Sequence, residues 1–271
     1  MKLKEYLKNK IPENKINFLP SSFDTIGSIC ILEIKAEVKK YEKLIGTAIL
    51  KLNPSLKSVF KKSSIVKGKH RTHKLAYIAG TNNKETTHKE NKALLKLNVE
   101  KCYFSPRLSN ERLRISKLIK KSESVLVMFS GIGAYNFVIL KNSNPIEVYG
   151  IEINKAAHKY ALENIKLNKI PESKIKLYNG DVKKVLPKIN KKFDRIIMPL
   201  PKESFNYLNL ALKKIKKKGF IHLYTFAEEG KENEIKEKMK KYIKKFKIQK
   251  IVKAGVYGPK IFRVCVDLKI L

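Results

Sequence analysis

From residue 99 onward, apolar β-branched runs alternate with amphipathic stretches of helical period. That order constrains the fold more than any other feature of the chain. Strands are predicted at 124–129, 147–152, 174–178, 194–198, 219–226, 246–253 and 261–268. Helices are predicted at 107–121, 133–141, 154–167, 182–189, 203–216 and 230–244. Repeated β–α units need crossovers, which place helices on both faces of a mostly parallel sheet. The expectation is an α/β, Rossmann-like domain with seven strands. Its last two runs, joined by the short "AGVYGPK" (254–260), form a terminal antiparallel hairpin. Residues 1–98 read as a small α+β module. Helical segments are expected at 2–10 and 36–51, strands at 28–34, 63–68 and 74–80, and a loop or strand edge at 80–92. The domain boundary is expected between 98 and 99.

The net charge of +36 points to a polyanionic partner, RNA or DNA. Only six of the 60 basic residues are arginine, so lysine abundance could also reflect solvated faces. The helices expected at 203–217 and 230–245 carry lysine clusters that are either RNA-facing or simply solvated. Where lysine is the default, each arginine is placed for its planar fork, and Arg107, Arg112 and Arg114 fall within eight residues. No apolar run approaches the ~20 residues of a membrane span. The N-terminus is too charged for a signal peptide, so a soluble, cytoplasmic chain is expected, with no membrane partner. Cys30, Cys102 and Cys265 are odd in number and far apart, which argues against disulfides and a metal site.

The first strand of the second module runs into "SGIGAYN" (130–136), where Gly131 and Gly133 permit a tight turn and close approach of a ligand. The third glycine of the dinucleotide fingerprint is replaced by Asn136. Glu152 ends the next strand, 21 residues after Gly131, where an adenosine ribose needs an acceptor. Asp181 follows the third strand and can accept from an adenine amino group. Each acid could instead be a helix N-cap. Two acids at successive strand tips after a glycine turn favour an adenosine-containing ligand. The missing glycine suits S-adenosyl-L-methionine better than a pyrophosphate cofactor.

The segments "VEKCYFSPRLSNERLRI", "MFSGIGAYN", "GIEINKAAHKYALENIKLN", "NGDVKKV" and "DRIIMPLPK" occur in order. Together they resemble the archaeal and eukaryotic tRNA (guanine-N1) methyltransferases that act beside the anticodon, at position 37. Their wyosine-linked archaeal relatives look similar. "SFDTIGSICILEI" and "KGKHRTHKLAYIAG" resemble the small domain that precedes the catalytic domain in that family. The resemblance implies a class I methyltransferase domain at 99–271, behind a small RNA-interacting or linking domain at 1–98. Tyr103, Phe104 and Arg107 would border the methionine side of the cofactor. Gly131, Gly133, Glu152 and Asp181 match cofactor positions, and Phe129, Ile153, Val182, Pro199 and Leu200 complete the expected cofactor set. Glu111 matches the proposed general base, and Arg71 the arginine that steadies charge on the guanine. Arg112, in the same motif, is a candidate for facing RNA or the site. Two positions depart from the family pattern. Val127 replaces an acid at the end of the first strand, and Pro199 stands where asparagine is common. The "PLP" form resembles members linked to wyosine-type modification as well as guanine methylation. A further N-terminal domain for the tRNA elbow has no room here, so the partner contact is expected on the anticodon arm of tRNA, with the protein a monomer.

Guanine N1 is protonated at neutral pH, so methylation requires a base, with charge on O6 stabilised as the proton leaves. Glu111 and Arg71 are the expected pair, drawn from different domains. The plainer reading has Glu111 pairing with Arg107 or Lys117 along one helix face, and Arg71 contacting a phosphate. The fourth strand ends at Pro199, Leu200 and Pro201, a stiff corner beside the ligand crevice that offers a flipped base a wall. Pro199 there is either a substrate-facing residue or an ordinary turn proline. Two alternatives to methyl transfer are aminocarboxypropyl transfer from the same cofactor and non-catalytic RNA binding by a degenerate fold.

Overall fold

The computed structural model describes residues 2–63 and 74–271. The chain forms two compact units. One comprises Met1–Lys89 and Leu95–Pro106, the other Glu90–Leu94 and Arg107–Leu271.

In the first unit, α1 (Leu3–Leu7) and α2 (Glu13–Ile16) precede β1 (Asp24–Ile26) and β2 (Ile29–Leu32). A 3-10 turn at Ala36–Tyr41 leads into α3 (Glu42–Leu52), followed by β3 (Ser58–Lys62) and β4 (Leu75–Gly80). The sheet order is β1-β2-β3-β4. β2 and β3 are parallel, which α3 makes possible as their crossover. Ile45 and Ile49 of α3 pack with Cys30, Leu32 and Val59, so Cys30 is a core residue. The strand expected at 63–68 falls, apart from Ser63, outside the described residues, and the strand before it is Ser58–Lys62. The stretch 80–92 contains β5 (Glu85–Glu90), which forms a two-stranded sheet with β6 (Ala93–Asn98). The turn residues Asn91 and Lys92 both have positive φ, +43° and +67°, the twist that two-residue hairpin turns require.

In the second unit, α4 (Ser109–Lys117) comes first, then β7 (Ser124–Met128), α5 (Ala134–Asn142), β8 (Glu147–Glu152), α6 (Lys155–Leu167), β9 (Ile175–Asn179) and α7 (Val182–Val185). After these come β10 (Phe193–Met198), α8 (Ser204–Lys214), β11 (Ile215–Glu228), α9 (Glu232–Lys240), β12 (Phe246–Gly258) and β13 (Ile261–Ile270). The seven strands are ordered β12-β13-β11-β10-β7-β8-β9. Strands β7 to β11 run parallel, and β13 is antiparallel to both neighbours, as the terminal hairpin expectation required. On one face Leu126, Ile151, Ile196 and Leu223 pack with Leu208 of α8 and Met239 of α9. On the other, Val125, Val127, Ile197 and Cys265 pack with Ile115 of α4 and with Tyr135 and Ile139 of α5. Val127 is thus fully buried core. Lys216 and Lys217, expected on a helix, lie on β11 instead. The strand starts at Ile215, which pairs with Phe193, and a register shift follows, with Lys218 at φ +61°.

Candidate active site

Parallel strands bind ligands at their carboxyl ends, and here those ends are stitched together. Past β7 the backbone turns left-handed at Phe129 (φ +60°), Gly131 (+58°) and Gly133 (+83°). A Cβ on Gly133 would lie 2.4 Å from Cε2 of Phe137, and positive φ disfavours any side chain there. Gly133→Ala is therefore expected to lower Tm and weaken cofactor binding together, measured by thermal melting and calorimetry. Phe129 meets Tyr207 of α8 edge-on, with ring centroids 4.8 Å apart.

Glu152, at the tip of β8, binds this turn directly. Its Oε2 accepts from Gly131 N–H and its Oε1 from Asn154 N–H, each at 2.7 Å. Its main-chain carbonyl accepts from Gly180 N–H and the Asn179 side chain, both at 2.8 Å, which ties in the β9 tip. The Ile151 carbonyl accepts from Ser130 N–H at 2.9 Å. Three successive tips thus share one carboxylate and its neighbours. Glu152 is no helix cap, because Asn154 caps α6 by accepting from Ala156 and Ala157. Asp181 is a cap in addition to any ligand role, accepting from Lys183 N–H at 2.9 Å. Val182 is buried, whereas Ile153 is exposed beside Glu152. Asn136, at the missing glycine, is fully buried and donates to the Tyr149 carbonyl at 3.1 Å.

This set suits an adenosyl group. A carboxylate accepts from hydroxyls while repelling phosphate. Apolar Ile153 and Val182 lie next to the two acids, where an adenine ring needs them. S-adenosylmethionine therefore fits, with Gly131, Glu152, Ile153, Asp181 and Val182 as the residues that would hold it.

The corner after β10 is a three-residue turn centred on Pro199, with Leu200 N–H donating to the Met198 carbonyl at 2.9 Å. The Ser204 hydroxyl locks it by bonding the Leu200 carbonyl at 2.8 Å and the Met198 carbonyl at 3.2 Å. Pro199 and Leu200 are half-buried and Pro201 is buried.

Glu111, on α4, is only 7% exposed. Its partner is neither Arg107 nor Lys117 but Arg114, one turn on, whose Nε and Nη2 donate to the carboxylate at 2.7 and 2.8 Å. The Tyr224 hydroxyl donates to Oε1 at 2.6 Å. Arg114 also reaches Asp267, which accepts from His222 Nδ1 at 2.6 Å. Burial pushes the Asp267 carboxyl up, but the bonds from His222 and Arg114 outweigh it and hold it well below the carboxylate range. Burial also lowers His222, against the pull of Asp267. His222, Cys265 and Asp267 lie close enough to suggest a metal site. Their donors, however, are committed to a network flanked by the guanidiniums of Arg114 and Arg195, which repel a cation.

Arg112 is drawn into the interior. It is 2% exposed, and its Nη2 donates to Glu90 at 2.6 Å in a buried pair. Arg107 is exposed. In the first unit, Tyr103 is 41% exposed and Phe104 packs on the His88 ring at 5.2 Å. Arg71 lies outside the described residues. Sequence reasoning assigned no role to Arg114, Tyr224, His222 or Asp267. Only Arg114 carried a signal, as the third of the clustered arginines.

Comparison with known proteins adds a family to this geometry. The TRM5/TYW2 methyltransferase domain matches residues 86–252, and the TYW2 N-terminal domain matches residues 3–83. The tRNA (guanine(37)-N(1))-methyltransferase Trm5b of Pyrococcus abyssi is 39% identical over 265 residues, covering 96% of this chain and 78% of the relative. The tRNA (guanine(37)-N(1))/4-demethylwyosine(37)-methyltransferase Taw22 of Nanoarchaeum equitans is 33% identical, covering 82% and 88%. The crystal structure of Methanocaldococcus jannaschii Trm5 in complex with adenosine superposes with a TM-score of 0.82 at 31% identity, covering 99% of this chain and 78% of that one.

Proposed function

The chain belongs to the TRM5/TYW2 methyltransferase family, and from that premise we propose that it methylates N1 of guanosine 37 in tRNA, beside the anticodon. The observation that carries the reading is Glu152, held by the Gly131 amide of the glycine turn and the Asn154 amide ahead of α6, at the strand tip where an adenosyl ribose needs an acceptor. When bound, S-adenosylmethionine supplies an electrophilic sulfonium methyl and departs as a neutral thioether. Glu111 accepts the N1 proton as the N1–methyl bond forms, so the electron pair left on nitrogen attacks carbon. Stabilising the charge that spreads to O6 falls to Arg71 in this reading. The charge of +36 supports recognition of the anticodon arm, with affinity falling steeply as salt rises.

The Pro199 corner favours a second substrate, the 4-demethylwyosine base named for the Nanoarchaeum equitans relative. A proline presents a ring and a carbonyl but no donor, so it discriminates less by hydrogen bonding than an asparagine would. Both activities are tested by incubating the protein with labelled cofactor and tRNA bearing guanosine or the wyosine precursor. Mass spectrometry of the nucleosides then distinguishes a transferred methyl from an aminocarboxypropyl group. Methylguanosine is the expected product, and none with either substrate would refute the reading. Pro199→Asn is expected to reduce modification of the precursor more than of guanosine.

A further inference from the structure

We infer that Arg114, Asp267 and Tyr224 are positioning residues for Glu111: they fix its carboxylate and leave the surrounding cluster one proton short of neutrality, so that Glu111 takes the proton. The inference rests on the function proposed above.

A continuous run of hydrogen bonds crosses one face of the second unit's sheet. Glu123, just ahead of β7, accepts from Arg195 Nε and Nη2 at 2.7 and 2.8 Å. Arg195 Nη1 meets His222 Nε2 at 2.7 Å, and His222 Nδ1 meets Asp267 at 2.6 Å. Asp267 accepts from Arg114 Nη1 and Nη2 at 2.6 and 3.2 Å, and from the Cys265 thiol at 3.4 Å. Arg114 closes on Glu111, where Tyr224 also donates; Tyr135 in turn donates to Tyr224 at 2.9 Å.

The groups facing Glu111 can be counted by element. On α4 they are Arg112 and Arg114, and on α5 Tyr135. On β11 they are His222 and Tyr224, and on β13 Cys265 and Asp267, with Arg195 and Glu123 beyond. Arg112 is cancelled by Glu90. A ring whose Nδ1 donates to a carboxylate while its Nε2 accepts from a guanidinium is neutral histidine. Burial keeps the thiol of Cys265 and both phenols protonated. Among the described residues, what remains is three carboxylates, Glu111, Asp267 and Glu123, against two guanidiniums, Arg114 and Arg195. The cluster is one negative charge in excess, and a buried excess charge is costly.

Position decides which carboxylate relieves it. Glu123 lies at the amino end of β7, away from the glycine turn. Asp267 pairs in register with His222, beside Ile197 and inside the sheet. It already accepts from four donor atoms, three at Oδ1 and one at Oδ2. Glu111 meets Tyr224, one residue beyond the Leu223–Met198 pair at the carboxyl tip, and three donor atoms leave it one acceptor site.

The test is the pH dependence of single-turnover methylation at saturating cofactor and tRNA transcript. Asp267→Asn removes the neighbouring negative charge, so Glu111 becomes less basic. The acid limb should move down by about one to two pH units, and the plateau rate should fall roughly tenfold. Tyr224→Phe removes a donor to the ionised carboxylate, so the limb should move up by about one unit. A purely structural role would lower both rates without moving the limbs in opposite directions. Unmoved limbs, or limbs moved the same way, overturn the inference. If Asp267→Asn does not fold, Tyr224→Phe alone decides: an upward shift supports it and no shift overturns it. Glu111→Gln separates this from the underlying reading. A Glu111→Gln enzyme of full rate removes the base assignment itself, whereas an inactive one with unmoved limbs in the other variants sinks only the positioning.

Discussion

Glu111→Gln is expected to slow single-turnover methylation by about 10²–10⁴-fold, the usual contribution of a positioned general base. The glutamine is close to isosteric, and its carbonyl oxygen still accepts from Tyr224 or Arg114. Arg114 keeps its two bonds to Asp267, so no buried guanidinium is stranded. Cofactor affinity should be unchanged, because Gly131 and Glu152, the residues proposed to hold the adenosyl group, lie on other elements. Rapid-quench assays with labelled cofactor, alongside calorimetry, separate the two effects. A fall of less than about tenfold would place the base elsewhere. Glu111→Asp keeps the charge but withdraws it by one methylene, so its rate should lie between those of wild type and glutamine.

That contrast reflects which parts of the site could be read from the chain. The strand–helix alternation located the carboxyl ends of the sheet, because period and β-branching are local properties. The positions of Gly131 and Glu152 at strand tips were legible for the same reason, and the structure bonds one to the other. The surroundings of Glu111 were not legible. Tyr224 lies 113 residues from it, and Asp267 lies 153 residues from Arg114. Nothing local marks a tyrosine in "IHLYTF" or an aspartate in "VCVDLK" as polar groups facing an ionic interior. The misreadings are also physical. "ALLKLN" has a strand's alternation, with Ala93, Leu95 and Leu97 buried, but its neighbours' polarity hid it. Arg112 carries the same charge as Arg107, yet Glu90, on a hairpin that the sequence did not reveal, draws it inside.

Arg195→Met is expected to destabilise the protein by about 3–5 kcal/mol, as breaking a buried ion pair from one side does. Arg195 is 3% exposed and makes four polar contacts: two to Glu123, one to His222 and one to the Leu118 carbonyl at 2.9 Å. Methionine matches its stem but strands the Glu123 carboxylate, itself 6% exposed, without its counter-ion. Tm should drop by roughly 10 °C or more, read by calorimetry. The second substitution is more telling. Adding Glu123→Gln removes the stranded charge and should recover about half of the loss, since desolvating an unpaired carboxylate dominates the cost. Full recovery is not expected, because the Leu118 carbonyl and His222 Nε2 still lose their donor. The nearby pair of Lys216 with Asp194 gives the scale. Lys216 is 47% exposed and its bonds are 2.9–3.0 Å, so Lys216→Ala should cost no more than about 1 kcal/mol. If the two single variants melted alike, the buried network would be ornamental to stability. The geometry predicts a several-fold difference because water screens only one of the two pairs.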